Sequence, residues 1–230
     1  QAYRTMRTIR DFEYRVSDEF GKGNIPGFLH LYAGQEAIAT GMCMNLLDED
    51  YIVSTHRGHG HCIAKGGDVG DMMKEIMAKK GGSCAGKGGS MHIAAVEKGM
   101  LGANAIVGGG PPLIVGAALS AKTLGTGSVG VSFTGDGGSN QGTTFEAMNL
   151  AVVLQVPAIF MFENNGYGEG TAAGYAVGSK DIASRAAAFG MPALKVDGAD
   201  IFETYKTCKK AVDHCRSGKG PIAIEASITR

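Results

Sequence analysis

Residues 135–167 read GDGGSNQGTTFEAMNLAVVLQVPAIFMFENNGY, and this stretch decides the fold. An apolar run, residues 129–133, precedes it and stops at a cluster of glycines, as a buried strand of a parallel sheet does at its end. Residues 143–154 are apolar nearly all round and long enough for a helix, and residues 157–162 form a second apolar run. The pattern predicts a strand, helix, strand unit whose strands are parallel neighbours joined by a right-handed crossover.

Acidic and amide side chains follow the two strands of this unit. Asp136 and Asn165 are therefore expected at the same edge of the sheet, where open α/β sheets bind their ligands. A carboxylate, a carboxamide oxygen and a main-chain carbonyl near Tyr167 form a sparse set of hard ligands, which suits Mg²⁺ completed by water and phosphate oxygens. The following helix favours a bound anion at its N-terminus. We predict a site for an anion held through a divalent cation.

The GDG triplet at residues 135–137, followed by Asn164 and Asn165, resembles the thiamine diphosphate motif. The residues between resemble the α subunit of the E1 component of 2-oxo acid and acetoin dehydrogenases. The resemblance implies an α/β thiamine diphosphate-binding fold, with a mainly parallel central sheet and helices on both faces. It also implies that thiamine diphosphate and Mg²⁺ are the cofactors and that Asp136, Asn165 and the Tyr167 carbonyl are the metal ligands.

A second group of candidate residues follows the strand predicted at residues 51–54. The guanidinium of Arg57 on a strand-end turn suits a phosphate, which it can bind with two hydrogen bonds. The resemblance implies that Arg57 contacts the diphosphate, that His56 faces the cofactor, and that the main chain around Ala105 and Val107 meets the aminopyrimidine ring.

Glycines of the GDGG sequence are also expected at the cofactor. Gly137 and Gly138 have no side chain beyond the main chain and would let the backbone approach the diphosphate closely. On this interpretation they bind the cofactor beside Asp136.

Histidines supply the candidates for proton transfer or substrate orientation, since imidazole can serve either role near neutral pH. The resemblance favours His30, His56 and His92 for these roles. His56, His59 and His61 could instead be interpreted as a zinc cluster. Their spacing matches no helical HxxxH pair, and the permanent charge of the neighbouring arginine opposes a cation there.

Two glycine-rich stretches resemble nucleotide-binding motifs. Residues 81–87 fit G-x-x-x-x-G-K, but Gly88 stands where Ser or Thr should be, and a predicted helix precedes the loop where a P-loop requires a strand. Residues 125–130 fit G-x-G-x-x-G but precede a strand instead of following one. A nucleotide-binding phosphotransferase therefore remains an alternative, as does a non-catalytic scaffold subunit.

Composition predicts one globular domain over residues 1–230. The apolar content of 44% is ample for a core, and 22 basic against 22 acidic residues give no general attraction to nucleic acid or anionic membranes. No apolar run reaches the ~20 residues that span a bilayer. Five cysteines without a CxxC pair indicate free thiols and a cytoplasmic location, or the mitochondrial matrix in a eukaryote.

Further helices are predicted over residues 2–20, within 68–80, after Pro111 and Pro112, and over 181–189 and 200–217. Residues 168–180 are rich in Gly and Ala and are expected to be mobile. The last strand is predicted in residues 221–230. The family continues beyond this point, so the resemblance implies that a C-terminal segment is missing.

The function implied by the resemblance is that of an E1 α subunit. Such a chain cleaves acetoin or decarboxylates a 2-oxo acid and passes the acyl group to a lipoyl arm of E2. In the family the Glu that protonates the pyrimidine lies on the β subunit, so activity is expected only in an α2β2 heterotetramer. The sequence STHRGHGHCIAKG at residues 54–66 looks most like acetoin dehydrogenase, with pyruvate and branched-chain 2-oxo acids as the alternatives.

Overall fold

A parallel sheet of six strands forms the centre of the molecule in this computed structural model, which describes residues 1–179 and 181–229. Lys180 and Arg230 lie outside the described residues. The strands are β1 (Tyr51–Val53), β2 (Met100–Gly102), β3 (Gly130–Gly135), β4 (Ala158–Asn164), β5 (Tyr167–Gly168), β6 (Thr171–Ala172), β7 (Ala193–Asp197) and β8 (Ile222–Ser227). The sheet has the order β2-β1-β3-β4-β8-β7 with every pair parallel, and β5 and β6 form a separate antiparallel pair.

Helices cover both faces of the sheet. They are α1 (Ala2–Gly21), α2 (Glu36–Cys43), α3 (His59–Ala64), α4 (Val69–Ile76), α5 (Gly110–Leu124), α6 (Gly142–Leu154), α7 (Ala173–Ala176), α8 (Ile182–Ala187) and α9 (Ile201–Arg216). One core cluster joins α1, α2, α3, α4 and α9 to the sheet, and another joins α5, α6 and α8 to its opposite face. The α/β architecture with a mainly parallel sheet and helices on both sides is thus confirmed.

The predicted unit in residues 135–167 is present as β3, α6 and β4. The two strands are adjacent and parallel, with Gly130 opposite Ala158 and Gly135 opposite Glu163. Alternate residues of β4 enter the two cores: Met161 packs in the first cluster, whereas Phe160 packs in the second. Both strands therefore end at the same edge of the sheet, which is the edge that carries the site described below.

Two details differ from the sequence-based expectations. Pro111 and Pro112 lie inside the first turn of α5, where the missing N–H of proline costs no helical hydrogen bond. Residues 168–179 contain the β5–β6 pair and α7 rather than an unanchored stretch. Main-chain bonding accounts for this, since Ala173 N donates to Gly166 O at 2.8 Å without help from side chains.

None of the helices in residues 1–179 and 181–229 combines the length and the apolar character that a membrane crossing requires.

Candidate active site

A cavity of about 720 Å³ opens at the carboxyl edge of the sheet. Segments that follow three neighbouring strands form its walls: residues 54–57 after β1, 134–138 after β3, and Asn165, Tyr167, Gly168 and Glu169 after β4. His30, Gln35 and residues 104–108 complete much of the lining. The carboxyl ends of the parallel strands thus bring the predicted polar residues together in one cavity.

Asp136 lies in this cavity directly after β3 and is buried. Burial raises the pKa of its carboxyl, and the main-chain N–H groups of Asp136 and Asn165 offset part of that effect. The segment after β4 lies against it, because a Cβ on Gly168 would be 3.1 Å from Gly137 Cα and 3.9 Å from Asp136 Oδ2. The glycines at 137 and 168 therefore let the two strand tips touch.

Asn165 presents its side-chain amide in a defined orientation. Its Nδ2 donates to Gln35 Oε1 at 3.1 Å, and its Oδ1 accepts from Tyr167 N at 3.3 Å. The side chain of Tyr167 is 63% exposed, so any part that Tyr167 plays in a metal site falls to its main chain.

These oxygens fit a hard dication. Asp136 supplies a carboxylate whose charged form is stabilised by the main-chain N–H groups of Asp136 and Asn165. Asn165 supplies a carboxamide oxygen, and the Tyr167 carbonyl follows in the same turn. Within the described part of the chain no group of three or more His, Cys, Asp or Glu side chains could hold a metal ion. That finding speaks against a zinc cluster, whereas a magnesium site that uses amide and carbonyl oxygens does not need such a group.

Polar and small groups line the rest of the cavity. The rings of His30 and His56 meet edge to face with centroids 4.7 Å apart, and Arg57 Nη1 donates to Leu31 O at 2.9 Å. Ala105 and Val107 are also in the lining.

Side chains pack closely around the GDGG turn. A Cβ on Gly138 would lie 2.8 Å from Thr134 Cγ2 and 3.4 Å from Val107 Cγ1, so only glycine fits this position without a shift of its neighbours.

The remaining histidines are separated from one another. His59 is fully buried and bonds to Glu13 at 3.1 Å and Ser90 at 2.9 Å, whereas His61 bonds to Ser54 and to Glu163. His92 is exposed and is not part of the cavity lining, although its neighbour Met91 is. A role for His92 stays a prediction from resemblance.

Sequence reasoning missed a buried network in the cavity wall. Glu163, on β4, accepts hydrogen bonds from the Tyr32 hydroxyl and, at 3.1 Å, from His61 Nε2. His61 Nδ1 lies 2.7 Å from Ser54 Oγ. Burial first, and then the Glu163 charge, raise the pKa of Tyr32 well above its usual value, so this hydroxyl stays a donor. An acidic residue directly after the apolar run of β4 was the signal in the sequence.

Gln35 was missed as well. It is 1% exposed, lines the cavity and holds the Asn165 amide.

The glycine-rich loop at residues 81–89 already holds an anion from its own chain. Four main-chain N–H groups of this loop, those of Cys84, Gly86, Gly88 and Gly89, donate to the buried Glu75 carboxylate. A loop closed on Glu75 does not offer these donors to a nucleotide phosphate. The P-loop interpretation therefore gains no support from the geometry.

Comparison with known proteins identifies the family of the chain. A family model described as "Dehydrogenase E1 component" matches residues 4–230. The chain is 56% identical over 99% of its length to the α subunit of acetoin:2,6-dichlorophenolindophenol oxidoreductase from Cupriavidus necator and 54% identical to that from Bacillus subtilis, and it spans 68% of each. It is 41% identical to a pyruvate dehydrogenase E1 α subunit from Rhizobium meliloti, of which it spans 65%.

Solved structures are similar in fold. Transketolase from Campylobacter jejuni superposes with a TM-score of 0.68 at 19% identity, covering 97% of this chain and 37% of that one. A Mycobacterium smegmatis protein described as a thiamin diphosphate-dependent enzyme gives a TM-score of 0.55 at 18% identity, covering 88% of this chain and 34% of that one. A family model spans almost every residue of the chain, and more than half of the chain's residues are identical in each of the two acetoin relatives. The chain therefore belongs to the dehydrogenase E1 component family of thiamine diphosphate-dependent oxidoreductases.

Proposed function

We propose that this chain is the α subunit of an E1 component and binds thiamine diphosphate through Mg²⁺ at the carboxyl edge of its sheet. The observation that carries the proposal is the meeting of Asp136 and Asn165 at the tips of adjacent parallel strands, in one cavity with Arg57. A dication there would neutralise a buried carboxylate and attract phosphate oxygens. Membership of the E1 family supports the same cofactor.

Each residue of the site has a proposed part in holding the cofactor. Asp136, Asn165 Oδ1 and the Tyr167 carbonyl hold Mg²⁺, and Arg57 contributes positive charge to the diphosphate. Gly137 and Gly138 give main-chain access to the same group. Bound thiamine diphosphate supplies the chemistry of carbon–carbon bond cleavage through its thiazolium ring.

Ala105, Val107 and two histidines are placed to act on the organic parts of the ligands. We assign the main chain around Ala105 and Val107 to the aminopyrimidine ring. His30 and His56 contact each other in the cavity, and we propose that their imidazoles orient the substrate or hold a proton near it.

Acetoin is the proposed substrate, with pyruvate second and branched-chain 2-oxo acids third. The two acetoin relatives share 56% and 54% of the sequence, against 41% for the Rhizobium pyruvate relative. We further propose that the chain acts only with a β subunit, in an α2β2 heterotetramer, and that the acyl group passes to a lipoyl arm of E2. All five cysteines are free, in keeping with the cytoplasmic location that we propose.

Calorimetry on the chain purified with its β subunit tests the metal role. Asp136→Asn should weaken Mg²⁺-dependent binding of thiamine diphosphate by at least about 100-fold, because a ligand to the metal loses its charge. Asp213→Asn, an exposed pair partner of Lys209 on α9, is the control and should bind like wild type. Equal binding by Asp136→Asn and wild type would reject the site. A panel of acetoin, pyruvate and branched-chain 2-oxo acids on the same complex ranks the substrates.

A further inference from the structure

Gln35 occupies the N-cap position of α2 but does not cap the helix. Its backbone is non-helical, with φ −113° and ψ 12°, and its side chain makes no hydrogen bond to the first turn. Ser, Thr, Asp and Asn are the residues that serve an N-cap well, because their short side chains reach the free N–H groups of that turn. A long, 1% exposed amide at this position breaks the local rule, which points to another task.

The side chain of Gln35 reaches the candidate metal site instead. Its Oε1 accepts the hydrogen bond from Asn165 Nδ2 at 3.1 Å, and Tyr167 N donates to the other end of the same amide, Asn165 Oδ1, at 3.3 Å. Rotating the Asn165 amide by half a turn would set NH₂ against the Tyr167 N–H and oxygen against Gln35 Oε1. The two bonds therefore fix which atom of Asn165 occupies each position.

Gln35 also borders the cavity itself. It lines the same cavity as Asp136 and Asn165, so its side chain borders the space that a bound ligand would occupy. An amide NH₂ group at a cavity wall can donate a hydrogen bond to an oxygen of a bound ligand.

We propose that Gln35 is a positioning and binding residue of the cofactor site. Its Oε1 holds the Asn165 amide so that Oδ1 is the atom offered to the dication, and its NH₂ group donates to an oxygen of the phosphate-bearing ligand. This inference rests on the proposed function, since it needs Mg²⁺ and an anionic ligand in the cavity. Partners that orient metal ligands in this way commonly contribute a factor of 10–100 to metal affinity.

The surrounding structure holds Gln35 in place independently of Asn165. Gln35 N donates to Tyr32 O at 3.1 Å. The carboxylate of the next residue, Glu36, accepts a hydrogen bond from Arg10 Nη2 at 2.9 Å and another from Gly34 N at 3.0 Å. The start of α2 should therefore survive a change of the Gln35 side chain.

Two variants separate the two contacts of Gln35, measured on the complex with the β subunit. Gln35→Ser places a good N-cap residue at the start of α2 but cannot reach Asn165, so the ligand-free melting temperature should stay equal or rise. In calorimetry its Mg²⁺ affinity at saturating thiamine diphosphate should fall about 10- to 100-fold. Gln35→Glu keeps the acceptor for Asn165 Nδ2 but replaces the NH₂ donor by a carboxylate. Its Mg²⁺ affinity should stay within about threefold of wild type, while thiamine diphosphate at saturating Mg²⁺ binds at least tenfold more weakly.

Thr40→Val is the matched control, because Thr40 is buried on the same helix and its hydroxyl has no hydrogen-bond partner among the described residues. The proposal is supported if Thr40→Val binds Mg²⁺ and thiamine diphosphate like wild type, while Gln35→Ser loses Mg²⁺ affinity and Gln35→Glu loses thiamine diphosphate affinity. Unchanged Mg²⁺ affinity in Gln35→Ser, or an equal loss in Thr40→Val, overturns it while leaving the proposed function intact. Absence of Mg²⁺-dependent binding in wild type overturns both.

Discussion

Glu75→Gln should lower the free energy of unfolding by about 2–4 kcal/mol at pH 7. Glu75 Oε2 accepts the N–H groups of Cys84 and Gly86 at 2.8 and 2.7 Å, and Oε1 accepts those of Gly88 and Gly89 at 2.7 and 3.1 Å. Glutamine keeps one oxygen and turns an NH₂ donor toward two N–H donors, so two donors lose their acceptor. Each such loss costs about 1–3 kcal/mol, and partial exposure of the loop lets water reduce the upper value.

The same substitution has a pH signature. Burial raises the pKa of the Glu75 carboxyl, but the four N–H groups together outweigh burial, so the pKa lies below its ordinary range. A carboxyl with a lowered folded-state pKa contributes stability above its unfolded pKa and loses it as the pH falls through the folded value. Glutamine does not titrate. The difference between wild type and variant should therefore be largest at pH 7 and shrink below about pH 4.

Urea unfolding followed by circular dichroism at pH 7, 5 and 4 measures both effects. Asp71→Asn is the control on the same helix, because Asp71 forms an exposed pair with Lys74 at 2.7 Å and should change stability by less than about 1 kcal/mol. Equal urea midpoints for Glu75→Gln and wild type at pH 7 would refute the reasoning. So would a difference that grows as the pH falls.

Four further substitutions test the buried network and the helices, and each is measured in the same unfolding experiment. Gly60→Ala would place a Cβ 2.0 Å from Tyr32 Cδ1 and should lower the free energy of unfolding by about 3 kcal/mol or more. Gly116→Ala places its Cβ where no atom lies within 4 Å and should raise the free energy of unfolding by about 0.5–1 kcal/mol, because alanine favours the helix. Similar values for the two variants would contradict the packing argument. Tyr32→Phe removes a buried donor to Glu163 and should cost about 1–3 kcal/mol, and a neutral result would mean that the hydroxyl is not needed there. Asp200→Ala removes the side chain that caps α9 and should cost about 1 kcal/mol, an expectation that an unchanged urea midpoint would contradict.

The sequence was sufficient for the parts of the fold that local pattern controls. In residues 135–167 the apolar runs, their lengths and the glycines between them all favour one strand, helix, strand unit, and β3, α6 and β4 follow that prediction within about two residues. Because parallel strands end at one edge, the same pattern predicts that Asp136 and Asn165 lie together, and both line the cavity at that edge. Local regularity and a topological rule were enough for this part of the site.

Contacts between segments far apart in the chain could not be predicted in the same way. Gln35 and Asn165 are separated by 130 residues, and Tyr32 and Glu163 by 131, so neither pair leaves a periodic signal. Residues 168–179 show the same limit, because their small side chains did not predict the β5–β6 pair and α7 that main-chain hydrogen bonds form there. Side-chain composition reports burial well, whereas the partner of a buried polar group depends on how the finished fold brings segments together.

Three buried carboxylates show how the finished fold arranges the surroundings of the cavity. Glu75 holds the glycine-rich loop, Glu163 joins Tyr32 to His61, and Glu225 binds Asn164 Nδ2 and the first N–H groups of α8, each at 2.9 Å. Their donors are main-chain N–H groups, an amide, a hydroxyl and an imidazole. A buried carboxylate is tolerated when several such donors surround it. Acidic groups can therefore brace the loops around the cavity through main-chain N–H groups and through the amide, hydroxyl and imidazole donors named here.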